Sequence, residues 1–278
     1  MAQGEKISAV GALLRRVDRD RYVTALFAAP DRREALLALY AFNYEVARVR
    51  EMVSEPLLGS IRLQWWRDAM EAIAAGGKPP QHEVAVPLGI AMRDFNLAPA
   101  PFERLLAARE ADLATEPPAT LHNLEQYAAA TGGELAVLAL DILGAGEAAQ
   151  AGRHVGTGYA LAGLLRAAAF HARAGRSFIP AELDPGRSAL NLKPTPELTG
   201  AARSIANAAR AHLEKARALK HQVPRAAMPA LLIAALAEHW LRLLEKSGYD
   251  LFALSLARPD PRRGWRLWRA AHGSRYWR

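Results

Sequence analysis

Apolar residues recur at spacings of three and four through nearly every segment of this chain, and that period points to helices before any motif is considered. Alanine, leucine and arginine dominate and β-branched residues are sparse, so local propensity agrees with the period. Strands have no obvious place, and the expected fold class is all-α. The 278 residues, 51% of them hydrophobic, can fill a sizeable core. One domain over residues 1–278 is expected, with 258–278 as a basic, aromatic C-terminal tail. The absence of cysteine excludes disulfides, iron–sulfur clusters and thiolate zinc sites, so any metal would need oxygen or imidazole ligands. Lys and Arg number 36 against 28 Asp and Glu, a net charge of +8 carried mostly by arginine, which suits phosphates or acidic lipids.

Punctuation divides the chain into helices. Asp31 reads as the N-cap of a helix over 32–50, and Pro56 opens one over 57–75 that Gly76, Gly77, Pro79 and Pro80 close. Further helices are expected over 82–96, 101–115, 121–143, 147–173, 197–221, 224–246 and from 262 onward. The proline- and glycine-rich stretch 180–196 reads as a surface connection within one domain. Gly132, Gly133, Gly156, Gly158 and Gly163 fall inside helical segments, where each costs about 1 kcal/mol relative to alanine, which suggests close helix approach or a kink beside a cavity. The richest apolar run, 226–237, contains Pro229 and falls short of the roughly 20 residues that span a bilayer. The apolar stretch 7–14, preceded by Glu5 and Lys6 and followed by Arg15 and Arg16, reads as neither a secretory signal nor a transit peptide. A soluble or peripheral protein is expected.

Two constellations carry the chemistry. The first is Arg19-Asp20-Arg21-Tyr22, Phe27 with Pro30, Arg33, and Leu39-Tyr40-Ala41-Phe42. The second is Tyr127 with Gly132 and Gly133, then Gly156, Leu161, Leu164-Leu165-Arg166, Gly175-Arg176 and Phe178-Ile179-Pro180. On these residues the chain resembles the squalene/phytoene synthase superfamily over most of 10–250. The resemblance implies a terpenoid (isoprenoid) synthase-like helical bundle with a central cavity. It also implies two aspartate-rich motifs that hold the magnesium ions bridging a substrate diphosphate, and here the chain departs from the pattern. The first motif falls on Ala47, Arg48 and Glu51; the second falls on Ala167, Phe170 and His171, with Ala160 and Gly163 where the family has glutamine and asparagine. Ionising a prenyl diphosphate takes several magnesium ions held by about four or more oxygen ligands, and one glutamate does not supply them. The expectation is no catalytic residue, no metal and no cofactor.

Segment 41–67, with Ala41-Phe42-Asn43, Val53-Ser54-Glu55 and Arg62-Leu63-Gln64-Trp65-Trp66, resembles a branch of the superfamily that has lost the same acids and serves respiratory complex I assembly. Phe170-His171 resembles an aromatic–histidine pair of that branch. The resemblance implies complex I subunits or assembly intermediates as partners. It implies a place at the inner face of the cytoplasmic membrane, or the matrix side of the inner membrane in a mitochondrial relative. Two other classes stay open: a head-to-head prenyltransferase using Glu45, Glu51 and unusual magnesium ligands, and a protein that holds an isoprenoid, quinone or lipid in its cavity.

Several residues admit two readings. Tyr44, Glu45, Arg48, Arg166, His171 and Arg176 are candidates to line an anion-binding cavity, though Glu45, Glu51 and Glu55 among Arg48 and Arg50 also read as solvated helix ion pairs. Trp65 and Trp66 read as a partner-facing anchor or as core. His154 and His171 lack companion ligands for zinc. Trp265, Trp268 and Trp277 among the tail arginines fit an anionic membrane surface, a membrane-bound partner, or a helix docking its tryptophans on the core; no nucleic-acid fold signature accompanies them.

Overall fold

The structure, a computed structural model, describes residues 7–273, and among these it has fifteen α-helices and no strand. In chain order the helices are α1 (Ala9–Val17), α2 (Arg19–Ala25), α3 (Pro30–Ala47), α4 (Pro56–Ala74), α5 (Ala85–Asp94), α6 (Pro99–Glu110), α7 (Leu121–Ala128) and α8 (Glu134–Leu143). They continue as α9 (Ala149–Arg166), α10 (Ala168–Arg173), α11 (Pro196–Ala218), α12 (Met228–Leu231), α13 (Ile233–Lys246), α14 (Leu254–Ala257) and α15 (Arg263–His272). Helix α3 is apolar around its whole circumference from Ala35 to Phe42, with Asn43 also buried, and it is enclosed by α1, α2, α5 and α8. A second central helix, α9, packs against α8, α11 and α13. One continuous apolar cluster runs from Val10 to Leu267 and joins the two halves.

The helix boundaries follow the chemistry of their ends, with three departures from the sequence reading. Helix α3 starts at Pro30 in its first turn with Ala29 as N-cap, so Asp31 lies inside the helix and does not cap it; proline is pre-set for that position and lacks the N–H that would be orphaned. The span 121–143 is not one α-helix, because Ala129–Gly133 opens into a π-helical turn between α7 and α8. The span 147–173 breaks at Ala167, which separates α9 from α10. The π turn and α9 meet through glycine. A Cβ on Gly132 would stand 2.5 Å from the Gly156 carbonyl oxygen, and one on Gly156 would overlap the Gly132 carbonyl. Gly163, one turn before the break, faces open space.

Segment Arg225–Lys246 has 22 residues, and its most apolar 18-residue stretch has a mean hydropathy of 1.4, enough by length and composition to cross a membrane, whereas the apolar run read from the sequence covers only 226–237. Its 18-residue apolar window is 67% buried inside the bundle, as the core helix of a packed domain is. Connection 180–196 is pinned rather than loose: Ala181 and Glu182 donate to the Pro118 and Ala119 carbonyls, and the buried Asp184 carboxylate accepts from the backbone of Ser188 and Ala189. At the C-terminal end α15 docks on α13 and α2 through Leu267, which is fully buried. Trp265 and Trp268 point outward at 56% and 54% exposure, so this helix does not dock by its tryptophans. Trp277 lies outside the described residues.

Gly156→Ala should lower stability by about 1–3 kcal/mol, the usual cost of overpacking. Gly163→Ala should raise it by up to about 1 kcal/mol through helix propensity alone. Urea unfolding of both variants measures this; equal effects would mean that α9 and the π turn do not touch as described.

Candidate functional site: an arginine-lined cavity

The ends of α3 and α9, the π turn and the segment after α10 surround a cavity of about 350 Å³. Its wall is small where the family resemblance placed polar and acidic residues: Ala47, Ala160, Gly163 and Ala167 all line it. Four arginines face it, Arg21, Arg109, Arg166 and Arg176, against three carboxylates, Asp18, Glu51 and Asp112.

Two of those carboxylates are already committed. Asp112, on the 3-10 turn that follows α6, accepts from the Tyr127 hydroxyl at 2.7 Å and from Arg109 at 3.1 Å, and Arg176 stands 3.6 Å away. Arg109 also donates to Tyr127 at 2.7 Å and to Asn43 at 3.4 Å, which ties α3, α6 and α7 to one buried carboxylate. Asp18 caps α2 by accepting from the Arg21 backbone and binds the Arg21 guanidinium at 2.8 Å. Arg21 also stacks over Tyr159 and Tyr40. Burial pushes the Tyr127 phenol above its ordinary range against the pull of Arg109, so it remains a protonated donor to Asp112. Across the cavity Arg166 stacks on Trp240, donates to the Leu256 carbonyl and approaches Asp20 at 3.8 Å; Asp20 in turn holds Arg263 of α15 at 2.5 Å. Burial, more than any neighbour, raises Asp20.

Of the residues that the sequence offered as candidates for an anion-binding cavity, the structure places Tyr44, Arg166, His171 and Arg176 along this one. It leaves Glu45 and Arg48 out of the lining, a correction to that reading: Arg48 folds back to donate to the Tyr44 hydroxyl at 3.1 Å and lies 3.9 Å from Glu45. Phe170 turns outward, 53% exposed. His171 packs edge-on against Phe178, and burial with the adjacent Arg176 lowers its pKa to about 4. His154 is elsewhere, Nδ1 to Nδ1 with His212 at 3.0 Å, and Glu125 lies 3.5 Å from His212. Among the described residues no group of three or more His, Asp or Glu is placed to hold a metal ion. Trp66 is not a partner-facing residue: it is 4% exposed and sits edge-on to Phe42 at 5.1 Å, whereas Trp65 is 38% exposed. Sequence reasoning missed Asp18, Arg21, Asn43, Arg109, Asp112 and Tyr159 as cavity residues; the local signals were the spacings of three between Asp18 and Arg21 and between Arg109 and Asp112.

A helical bundle of this topology with a cavity at the junction of its glycine-contacting helices defines the class, and residues 14–269 match the squalene/phytoene synthase family. The chain belongs to that family. It is 31% identical over 251 residues to the mouse protein "NADH dehydrogenase (ubiquinone) complex I, assembly factor 6", covering 88% of this chain and 75% of that protein. Its fold is similar to that of a dehydrosqualene synthase (TM-score 0.79, 16% identity, 94% of this chain and 93% of that one). It is similar also to the squalene synthase HpnC from Alicyclobacillus acidocaldarius (TM-score 0.73, 21% identity, 87% and 95%).

His171 should titrate by NMR with a midpoint near 4, below its ordinary 6.5. Because the folded value is the lower one, its contribution to stability is complete above pH 6.5 and is lost as pH falls toward 4. A midpoint at 6 or above would place the ring in solvent.

Proposed function

We propose that this protein is a non-catalytic member of its family that acts in the assembly of respiratory complex I. The observation that carries the reading is the 31% identity over 88% of the chain to a protein named for that role in mouse. The cavity agrees with it. Magnesium–diphosphate chemistry needs a cluster of free carboxylates, and here Asp112 and Asp18 are already neutralised by arginine and tyrosine, which leaves Glu51 as the one lining acid without a hydrogen-bonded partner. The donor set does not fit a magnesium cluster, and no step is routed through one. The places of the second motif, Ala167, Phe170 and His171, supply an alanine, an outward ring and a histidine too weakly basic to carry charge at neutral pH.

The protein would work at the inner face of the membrane that holds complex I. Helix α15 presents Trp265, Trp268 and Arg269 to solvent, and Arg258 and Arg262 are exposed in the segment before it, a composition suited to headgroup-level rings and lipid phosphates. Complex I subunits or assembly intermediates are the partners this role requires.

Deleting the gene should lower assembled complex I and NADH:quinone oxidoreductase activity and leave squalene, hopanoid and carotenoid levels unchanged. Depleted isoprenoids with normal complex I would overturn the proposal in favour of a prenyltransferase. For the membrane contact, Trp265→Ala with Trp268→Ala should reduce flotation with anionic vesicles, more so as salt rises past about 0.1 M, where charges are screened within roughly 10 Å. Equal flotation of both proteins would remove the membrane role of α15.

A further inference from the structure

The cavity has a definite charge. Four guanidinium groups oppose three carboxylates, and His171, whose ring is neutral at pH 7, adds nothing, so the wall carries one net positive charge. The surplus sits on particular donors. Arg21 and Arg109 are each hydrogen-bonded to a carboxylate, whereas the terminal nitrogens of Arg166 and Arg176 stop 3.8 Å and 3.6 Å from Asp20 and Asp112, outside hydrogen-bonding distance. Those two arginines retain donors that an incoming oxyanion can take. They come from different elements, the end of α9 and the segment after α10, and a guanidinium matches the oxygens of a phosphate group.

The size of the space limits the ligand further. The cavity has about 350 Å³, and the neighbouring apolar pocket, which shares Leu164, His171 and Phe178 with it, has about 10 Å³, room for about one water, so no alkyl chain extends from the cavity into that pocket. A diphosphate would bring about three negative charges against one positive charge and beside Glu51 and Asp112, and the uncompensated remainder would be costly to desolvate.

We propose that the cavity binds a singly charged phosphate diester head group without any metal ion, through Arg166 and Arg176, and disfavours a diphosphate. The head group enters the cavity, and any chains it carries stay outside it. This rests on reading the cavity as non-catalytic and adds the class of ligand that replaces the substrate.

The test is calorimetry on the full chain with three probes: dihexanoyl phosphatidylglycerol below its micelle concentration, inorganic phosphate, and farnesyl diphosphate, each in EDTA and in magnesium. The diester should bind in EDTA, with an affinity that magnesium leaves unchanged, at least about tenfold more tightly than the diphosphate, a difference of about 1.4 kcal/mol. Arg166→Gln and Arg176→Gln should each weaken it by about tenfold, and Arg176→Lys, which keeps the charge, should weaken it less. Thermal unfolding of each variant shows that it is folded. Resistance to displacement by equimolar inorganic phosphate would support the diester assignment; displacement of the lipid by equimolar phosphate would overturn it in favour of a free-anion site. No diester binding, or affinity indifferent to both arginines, would overturn the inference. So would tighter, magnesium-dependent binding of farnesyl diphosphate. Such binding without turnover would leave the complex I proposal standing, whereas formation of squalene would remove that proposal as well.

Discussion

The carboxylate of Asp112 accepts from Tyr127 and Arg109 and faces Arg176, and the polar wall of the cavity is arranged around it. Asp112 is nearly buried, with 6% of its side chain exposed, and a buried carboxylate persists only if opposite charge and hydrogen bonds replace the water it has lost. Tyr127 and Arg109 do so from α7 and α6, and Asn43 extends the same network to α3. Removing one member would leave the others as uncompensated buried groups, which is why the network holds three helices in register. The same satisfaction leaves Glu51 as the one lining acid without a hydrogen-bonded partner.

A second network on the opposite wall repeats the arrangement. Asp18 holds Arg21, and Asp20 holds Arg263 while Arg166 hangs nearby. Through Asp20 the cavity wall is tied to α15, the helix with the outward tryptophans. Of the three acids that line the cavity, Asp112 is spent on holding helices together and Asp18 on capping α2 and pairing with Arg21, which leaves Glu51.

The sequence made the fold class legible because long segments such as α11 and α13 carry the 3.6-residue period and Gly132 and Gly156 sit where helices cross. The positions facing the cavity on α3 and α9 could be read too, since Ala47, Ala160, Gly163 and Ala167 stand at places known from the family pattern. What could not be read were partners distant in sequence. Arg109 and Tyr127, Arg176 and Asp112, and Arg263 and Asp20 each meet only when the bundle is assembled, and no periodicity reports such a meeting. Trp65 and Trp66 illustrate the same limit. Adjacent residues on a helix differ by about 100° in direction, so one ring had to be more buried than the other, and only the packing of Phe42 determined which.

The account rests on the claim that the cavity cannot ionise a prenyl diphosphate. Pyrophosphate release by the purified protein, given farnesyl diphosphate and excess magnesium, tests that claim most directly. The account predicts release no faster than in buffer alone. Magnesium-dependent release that disappears in Glu51→Ala, with squalene or a presqualene product, would contradict it.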